Sequence, residues 1–345
     1  MKLIGYPRAA PDETLTSWLF RCSLNKGCRC ITQEMAETYC SLDKEIDYDF
    51  DFSSRDFFVL CHRLQAAPNL TSAYFKPDTT LLLHIGFRLS YCPLCIREDI
   101  RNYGLPVWRK TWCYVSAPFC MKHRLLLVHL SDPVPSIKSW CAFANREQVL
   151  DPHHPYYPRA RQWGGVPIAL FGTDLGIKVQ SWLCGLRTPA RYLRATDALP
   201  FSPLLVRGTE YLLQYFLHLA LPGGRGGLAR TYFSSGRDRV AHGDKTFGAR
   251  MSKGGGVSTP YQRMIAMFLL GYLFDVFSDR DLRRIQTACL FSEYRWFSSI
   301  EDLAYRGGPY PNIAYEAMRR VFDDEVLGMF PGLRLFLSHV KHYLR

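Results

Sequence analysis

Two short ligand pairs, Cys92-Pro93-Leu94-Cys95 and Cys120-Met121-Lys122-His123, stand 24 residues apart and constrain this chain more than any other feature. Two cysteines with two residues between them aim both thiolates at one point, and Cys120 with His123 completes a second half-site. Three thiolates and one imidazole are the donor set of a tetrahedral zinc ion. Four protein ligands leave no open position for a water molecule, so the expected ion is structural rather than catalytic. Trp108, Trp112 and Phe119, which lie between the pairs, are expected to pack over it. Cys113 has no second donor at ligand spacing and is expected to pack as well.

The chain has 345 residues and 12 cysteines, and opens Met1-Lys2-Leu3-Ile4-Gly5-Tyr6-Pro7 with no long apolar stretch. We therefore expect no signal peptide, a cytoplasmic location, and cysteines that stay reduced or bind metal. The strongest apolar run, Met264 to Phe274, is too short to cross a bilayer core about 30 Å thick. Two further donor groups are weaker candidates. Cys22, Cys28, Cys30 and Cys40 crowd together without useful chelate spacing. His129, Cys141, His153 and His154 would make an irregular second metal site or simply lie in a loop, so a second zinc is doubtful.

Apolar periodicity predicts a mainly α protein. Residues 1–85 read as a small bundle resembling a helix-turn-helix. Asp12 is placed to cap a first helix with the stripe Leu15, Trp18, Leu19 and Cys22, which ends at Asn25-Lys26-Gly27. Thr32 opens a second, with Met35, Ala36, Tyr39 and Cys40 inward. Ser53 with Asp56 caps a third, with Phe57, Leu60, Cys61 and Leu64 inward, closed by Pro68. The same pattern suits any small helical bundle. Residues 86–130 form the zinc-binding part, with a short helix from Ile96, and 131–176 read as a Pro/Gly-rich irregular connection. Residues 177–345 form a helical C-terminal domain.

Lys and Arg number 43 against 31 Asp and Glu, a formal charge of +12, which suits a polyanionic partner. Within 222–259 the apolar pattern lapses into glycines and cations: Arg225, Arg230, Arg237, Arg239, Lys245, Arg250 and Lys253. Such a segment would lie along phosphates, or would be a solvated loop. The chain contains no G-x-x-x-x-G-K-[ST], G-x-S-x-G or H-E-x-x-H motif. Asp275, Asp279, Asp281, Glu301 and Asp302 sit mostly where helix caps fall, so no enzyme is expected.

Two motifs together resemble the TniQ/TnsD family of transposon target-selection proteins. The first is Tyr6-Pro7 followed by Pro11-Asp12-Glu13-Thr14-Leu15-Thr16-Ser17-Trp18-Leu19-Phe20-Arg21. The second is Tyr91-Cys92-Pro93-Leu94-Cys95-Ile96-Arg97-Glu98-Asp99, then Trp108-Arg109, Cys120 to His123, and Leu126-Leu127. The resemblance covers about the first 130 residues. It implies an N-terminal helix-turn-helix, a zinc-binding middle and a helical C-terminal region in a non-enzymatic adaptor. Such adaptors select target DNA by its sequence or by docking on a guide-RNA (CRISPR) effector complex, and recruit a transposon AAA+ ATPase and transposase. Some act as homodimers, and none implies a membrane. A second cysteine knuckle found in many relatives is missing here. Glu13 is expected to favour the helix dipole, and Trp18 to lie on the apolar stripe. The alternative reading is a stand-alone zinc-containing helix-turn-helix transcription regulator.

Overall fold

The computed structural model describes residues 6–25, 27, 47–79, 81–130, 137–150, 166–187, 203–220, 226–232, 246–291, 295–308 and 310–344. Helices dominate them, as the periodicity predicts, and strands are confined to two-residue pairs. The chain divides into two compact units, Met1–Tyr114 with Leu127–Tyr157, and Val115–Leu126 with Pro158–Arg345.

In the first unit, α1 (Leu15–Ser23), α2 (Arg55–Arg63) and α3 (Pro68–Phe75) surround one apolar cluster. Leu15, Trp18, Leu19 and Cys22 meet Phe57, Leu60, Cys61, Leu64 and Phe75 there. Both apolar stripes are thus buried as expected. The caps differ. Thr14, not Asp12, caps α1, its hydroxyl accepting from the Ser17 amide, while Asp12 adopts φ 62° and accepts from the Thr111 hydroxyl at 2.6 Å. Ser54, not Ser53, caps α2, because the Ser53 hydroxyl donates to Asp51. Pro68 does more than close α2. It occupies the first turn of α3, where a missing amide hydrogen costs nothing. The helix expected from Thr32 lies outside the described residues.

The unit continues through β1 (Ser90–Tyr91), α4 (Pro93–Tyr103), β4 (Val128–His129, antiparallel to β1) and α5 (Lys138–Leu150), which packs on α4. The expected irregular stretch 131–176 therefore contains all of α5 and the start of α6 (Val166–Arg187). Prolines flank these helices more than they interrupt them, and Pro167 falls in the first turn of α6, where proline is tolerated.

The second unit begins with the hairpin of β2 (Phe119–Cys120) and β3 (Leu125–Leu126), pairing Cys120 with Leu125. Then come α6, α7 (Pro203–Leu217), α8 (Leu228–Thr231), α9 (Phe247–Gly256), α10 (Pro260–Leu273), α11 (Asp279–Phe291), α12 (Ile300–Gly307), α13 (Asn312–Val321), α14 (Asp324–Met329) and α15 (Pro331–Val340). Helix α10 is apolar on nearly every side, is buried along almost its whole length, and packs on α6, α7 and α15. A reciprocal cap starts it: the Thr259 hydroxyl accepts from the Gln262 amide, and the Gln262 side chain accepts from the Thr259 amide. Among the described residues no helix is long and apolar enough to cross a membrane.

Candidate metal centre

Cys92 is the N-cap of α4, and its Sγ accepts the Cys95 amide at 3.4 Å while Pro93 takes the first helical position. The first half-site is therefore a helix start that wraps both thiols to the same side. The second is a hairpin turn. Between β2 and β3 the chain reverses through Arg124, a non-glycine residue at φ 51°, whose amide donates to the Cys120 carbonyl at 2.8 Å. This turn brings the His123 amide to the Cys120 Sγ at 3.5 Å.

One donor atom from each of Cys92, Cys95, Cys120 and His123 lies within 4.8 Å of all the others, the three thiols buried and the imidazole half-buried. Cys120 Sγ and His123 Nδ1 are 3.6 Å apart. Metal–sulfur and metal–nitrogen bonds of about 2.3 and 2.05 Å at a tetrahedral angle require a separation of about 3.6 Å. Backbone N–H groups pointing at Cys92 and Cys120 favour the thiolate form that a cation needs. The four predicted ligands are thus brought together and could hold a metal ion.

His129, exposed on β4, and Cys141, half-buried on α5, belong to no such group among the described residues. Cys28, Cys30, Cys40, His153 and His154 lie outside the described residues. Cys22 and Cys113 are wholly buried, and burial pushes the Cys113 thiol up to about 12, as expected of a packing residue.

The two sequence motifs meet in one buried network. Glu13 and Arg109 form an antiparallel bridge, the Thr14 amide donates to the Trp108 carbonyl at 3.0 Å, and the Trp108 amide donates to the Ser17 hydroxyl at 2.9 Å. Glu13 accepts from the Ala10 amide, the Ser17 hydroxyl and Arg21. The reading of Glu13 as a partner of the helix dipole is therefore corrected: its carboxylate is a buried hub. Asp99 pairs with Arg109. Burial raises the Glu13 carboxyl to about 7 against the opposing pull of Arg21, and raises Asp99 to about 6 against Arg109. Trp108 contacts Tyr91 and Trp112 at ring-centroid distances of 6.2 and 5.4 Å. Spacing alone does not signal the bonds that join the two motifs, since the Trp108–Ser17 bond, for one, links residues 91 positions apart.

The expected phosphate-contacting cations divide. Arg230 lies in α8, only 4% exposed, and donates to the carbonyls of Leu217 at 2.6 Å and Gly254 at 2.7 Å. Arg250, in α9, is buried and donates to the Ala220 carbonyl. Both neutralise carbonyls at and beyond the C-terminal end of α7, so they are structural and are withdrawn as phosphate contacts. Lys253 is exposed on α9. Arg225, Arg237, Arg239 and Lys245 lie outside the described residues. The glycine run is also corrected: Gly254, Gly255 and Gly256 are buried within a helix rather than set in a loop.

No curated protein and no solved structure matches the chain. Residues 5–127, the span that contains both motifs and all four clustered ligands, match the family model described as TniQ.

Proposed function

We propose that this protein is a target-selection adaptor for a transposon: it engages target DNA, directly or by docking on a guide-RNA effector complex, and recruits the transposon's AAA+ ATPase and through it the transposase. The observation that carries this reading is the TniQ match over residues 5–127. The clustered Cys92, Cys95, Cys120 and His123 support one structural zinc ion, because the donor set is soft and nitrogenous, compact and fully protein-supplied. The zinc would be structural and would take no part in chemistry. Homodimer formation and a cytoplasmic setting belong to the same reading.

The test is reconstitution of target joining with purified ATPase, transposase and donor DNA. The adaptor reading expects the chain to bind the ATPase and joined products to require both proteins. If the chain binds promoter DNA alone, ignores the ATPase and leaves joining unchanged, the transcription-regulator reading replaces it.

A further inference from the structure

Helix α11 carries a cationic face that neither motif explains. Its inner side, with Ile285, Ala288 and Cys289 buried, packs on α6. Arg280, Arg283, Arg284 and Thr287 are exposed on the other side. At about 100° per residue these four fall within an arc of about 100°, and the three arginines occupy about 6 Å of helix axis. Among the described residues none of the three guanidiniums has a carboxylate at ion-pair distance. The adjacent acid, Asp281, is already occupied by Lys178 at 2.8 Å and by the Ser278 amide and hydroxyl. Asp279 is the one other acid of the helix, at the flank of the face.

Placement makes the pattern more informative than a solvated surface. Cations near a helix N-terminus oppose the macrodipole, so Arg280 in the first turn and Arg283 and Arg284 just after it gain nothing from their own helix. Three arginines with no carboxylate partner among the described residues, together with the positive end of the dipole, concentrate positive potential on one exposed helix face. A phosphate backbone is the complementary partner, since arginine binds phosphate bidentately and releases its condensed counterions.

We propose that the Arg280, Arg283 and Arg284 face of α11 binds the phosphate backbone of double-stranded DNA, independently of base sequence. The inference shares with the adaptor reading only the expectation of a nucleic-acid partner. Loss of ATPase recruitment would defeat that reading and leave this one standing.

The test measures binding of the full chain to a labelled duplex of arbitrary sequence between 50 and 200 mM salt. Each phosphate contact adds about 0.9 to the slope of log affinity against log salt, so replacing all three arginines by glutamine should lower the slope by about 2.7. The affinity gap between the two proteins should then shrink by about 40-fold across that salt range. The matched lysine variants should keep the slope. Arg319→Gln with Arg320→Gln, which removes exposed charge from α13, should leave it unchanged. An unaltered slope in the triple glutamine variant, an equal loss per residue at Arg319 and Arg320, or no duplex binding by the natural chain would each overturn the proposal. So would binding confined to an RNA probe of equal length.

Discussion

Arg21 Nε lies 2.9 Å from Glu13 Oε1, and both side chains are closed to solvent, with exposures of 3% and 0%. The pair links the residue before the α1 cap to the last turn of that helix, and further bonds tie it down: Arg21 donates to the Arg8 carbonyl, and Glu13 accepts from Ala10 and Ser17. Ser17 in turn accepts from the Trp108 amide. A buried ion pair bonded in this way acts less as a source of net stability than as a device for register. It holds the leading residues 7–13 and the Trp108-Arg109 segment in one relation to α1.

Removing Arg21 takes the cation from a buried carboxyl that burial already disfavours in its charged form, and breaks the bonds to Glu13 and the Arg8 carbonyl. Arg21→Ala should destabilise the protein by about 3–5 kcal/mol, whereas an exposed arginine such as Arg334 should tolerate alanine within about 0.5 kcal/mol. Urea unfolding of the two variants checks the contrast.

The raised carboxyls give a pH dependence of unusual sign. Glu13 shifts from 4.5 to about 7 and Asp99 from 3.8 to about 6, so the folded protein holds protons that the unfolded chain has already released. Stability contributed by these groups is full below their unfolded values and is lost as pH rises through 6 to 7. The difference in unfolding free energy between the natural protein and Glu13→Gln should therefore change across pH 4.5 to 7, the natural protein losing ground as pH rises. Taking the difference cancels titration at the metal ligands, which both proteins share.

Metal content separates ligands from other cysteines. The purified protein should hold one zinc per chain, and Cys120→Ser should lose it and melt at a lower temperature. Cys113→Ser should keep its zinc, because Cys113 is packed among neighbours and stands outside the ligand group. Chelation should lower the melting temperature of the natural protein toward that of Cys120→Ser. Elemental analysis with thermal melting reads both effects.

The glycines of α9 act by size. A Cβ on Gly254 would meet the Leu217 carbonyl oxygen, the His218 Cα at 2.6 Å and the Leu219 amide at 2.8 Å, all of them backbone atoms. Gly254→Ala should therefore cost about 1–3 kcal/mol by forcing α9 away from α7, although alanine favours a helix. Gly248, at the exposed start of the same helix, meets nothing within 4 Å. Gly248→Ala should be neutral or slightly stabilising, and chemical denaturation of both variants checks the sign.

The residue sequence alone determined what depends on local chemistry. The two ligand pairs identified the metal candidates because chelate spacing is a property of short segments. The 3.6-residue stripes identified Trp18 and Leu60, because amphipathic periodicity is local too, and the continuous apolar run Met264 to Phe274 marked the core of α10. The motifs around Glu13 and Cys92 pointed to the family. Only the tertiary structure decided which cations are exposed and which glycines are buried in a helix. Arg230 and Arg250 look like phosphate ligands in a basic, glycine-rich stretch, yet the C-terminal carbonyls of α7 claim them. Gly254 falls in the stretch that reads as a loop, yet it lies in a helix packed closely on the backbone at the end of α7. The arginines of α11 drew no notice in the sequence, because exposure and lack of a partner come from packing on α6. Glu13 shows the same limit. A carboxylate at a helix start reads as a dipole partner until the fold brings Arg21, Ser17 and Trp108 around it and makes burial, not the dipole, the controlling term.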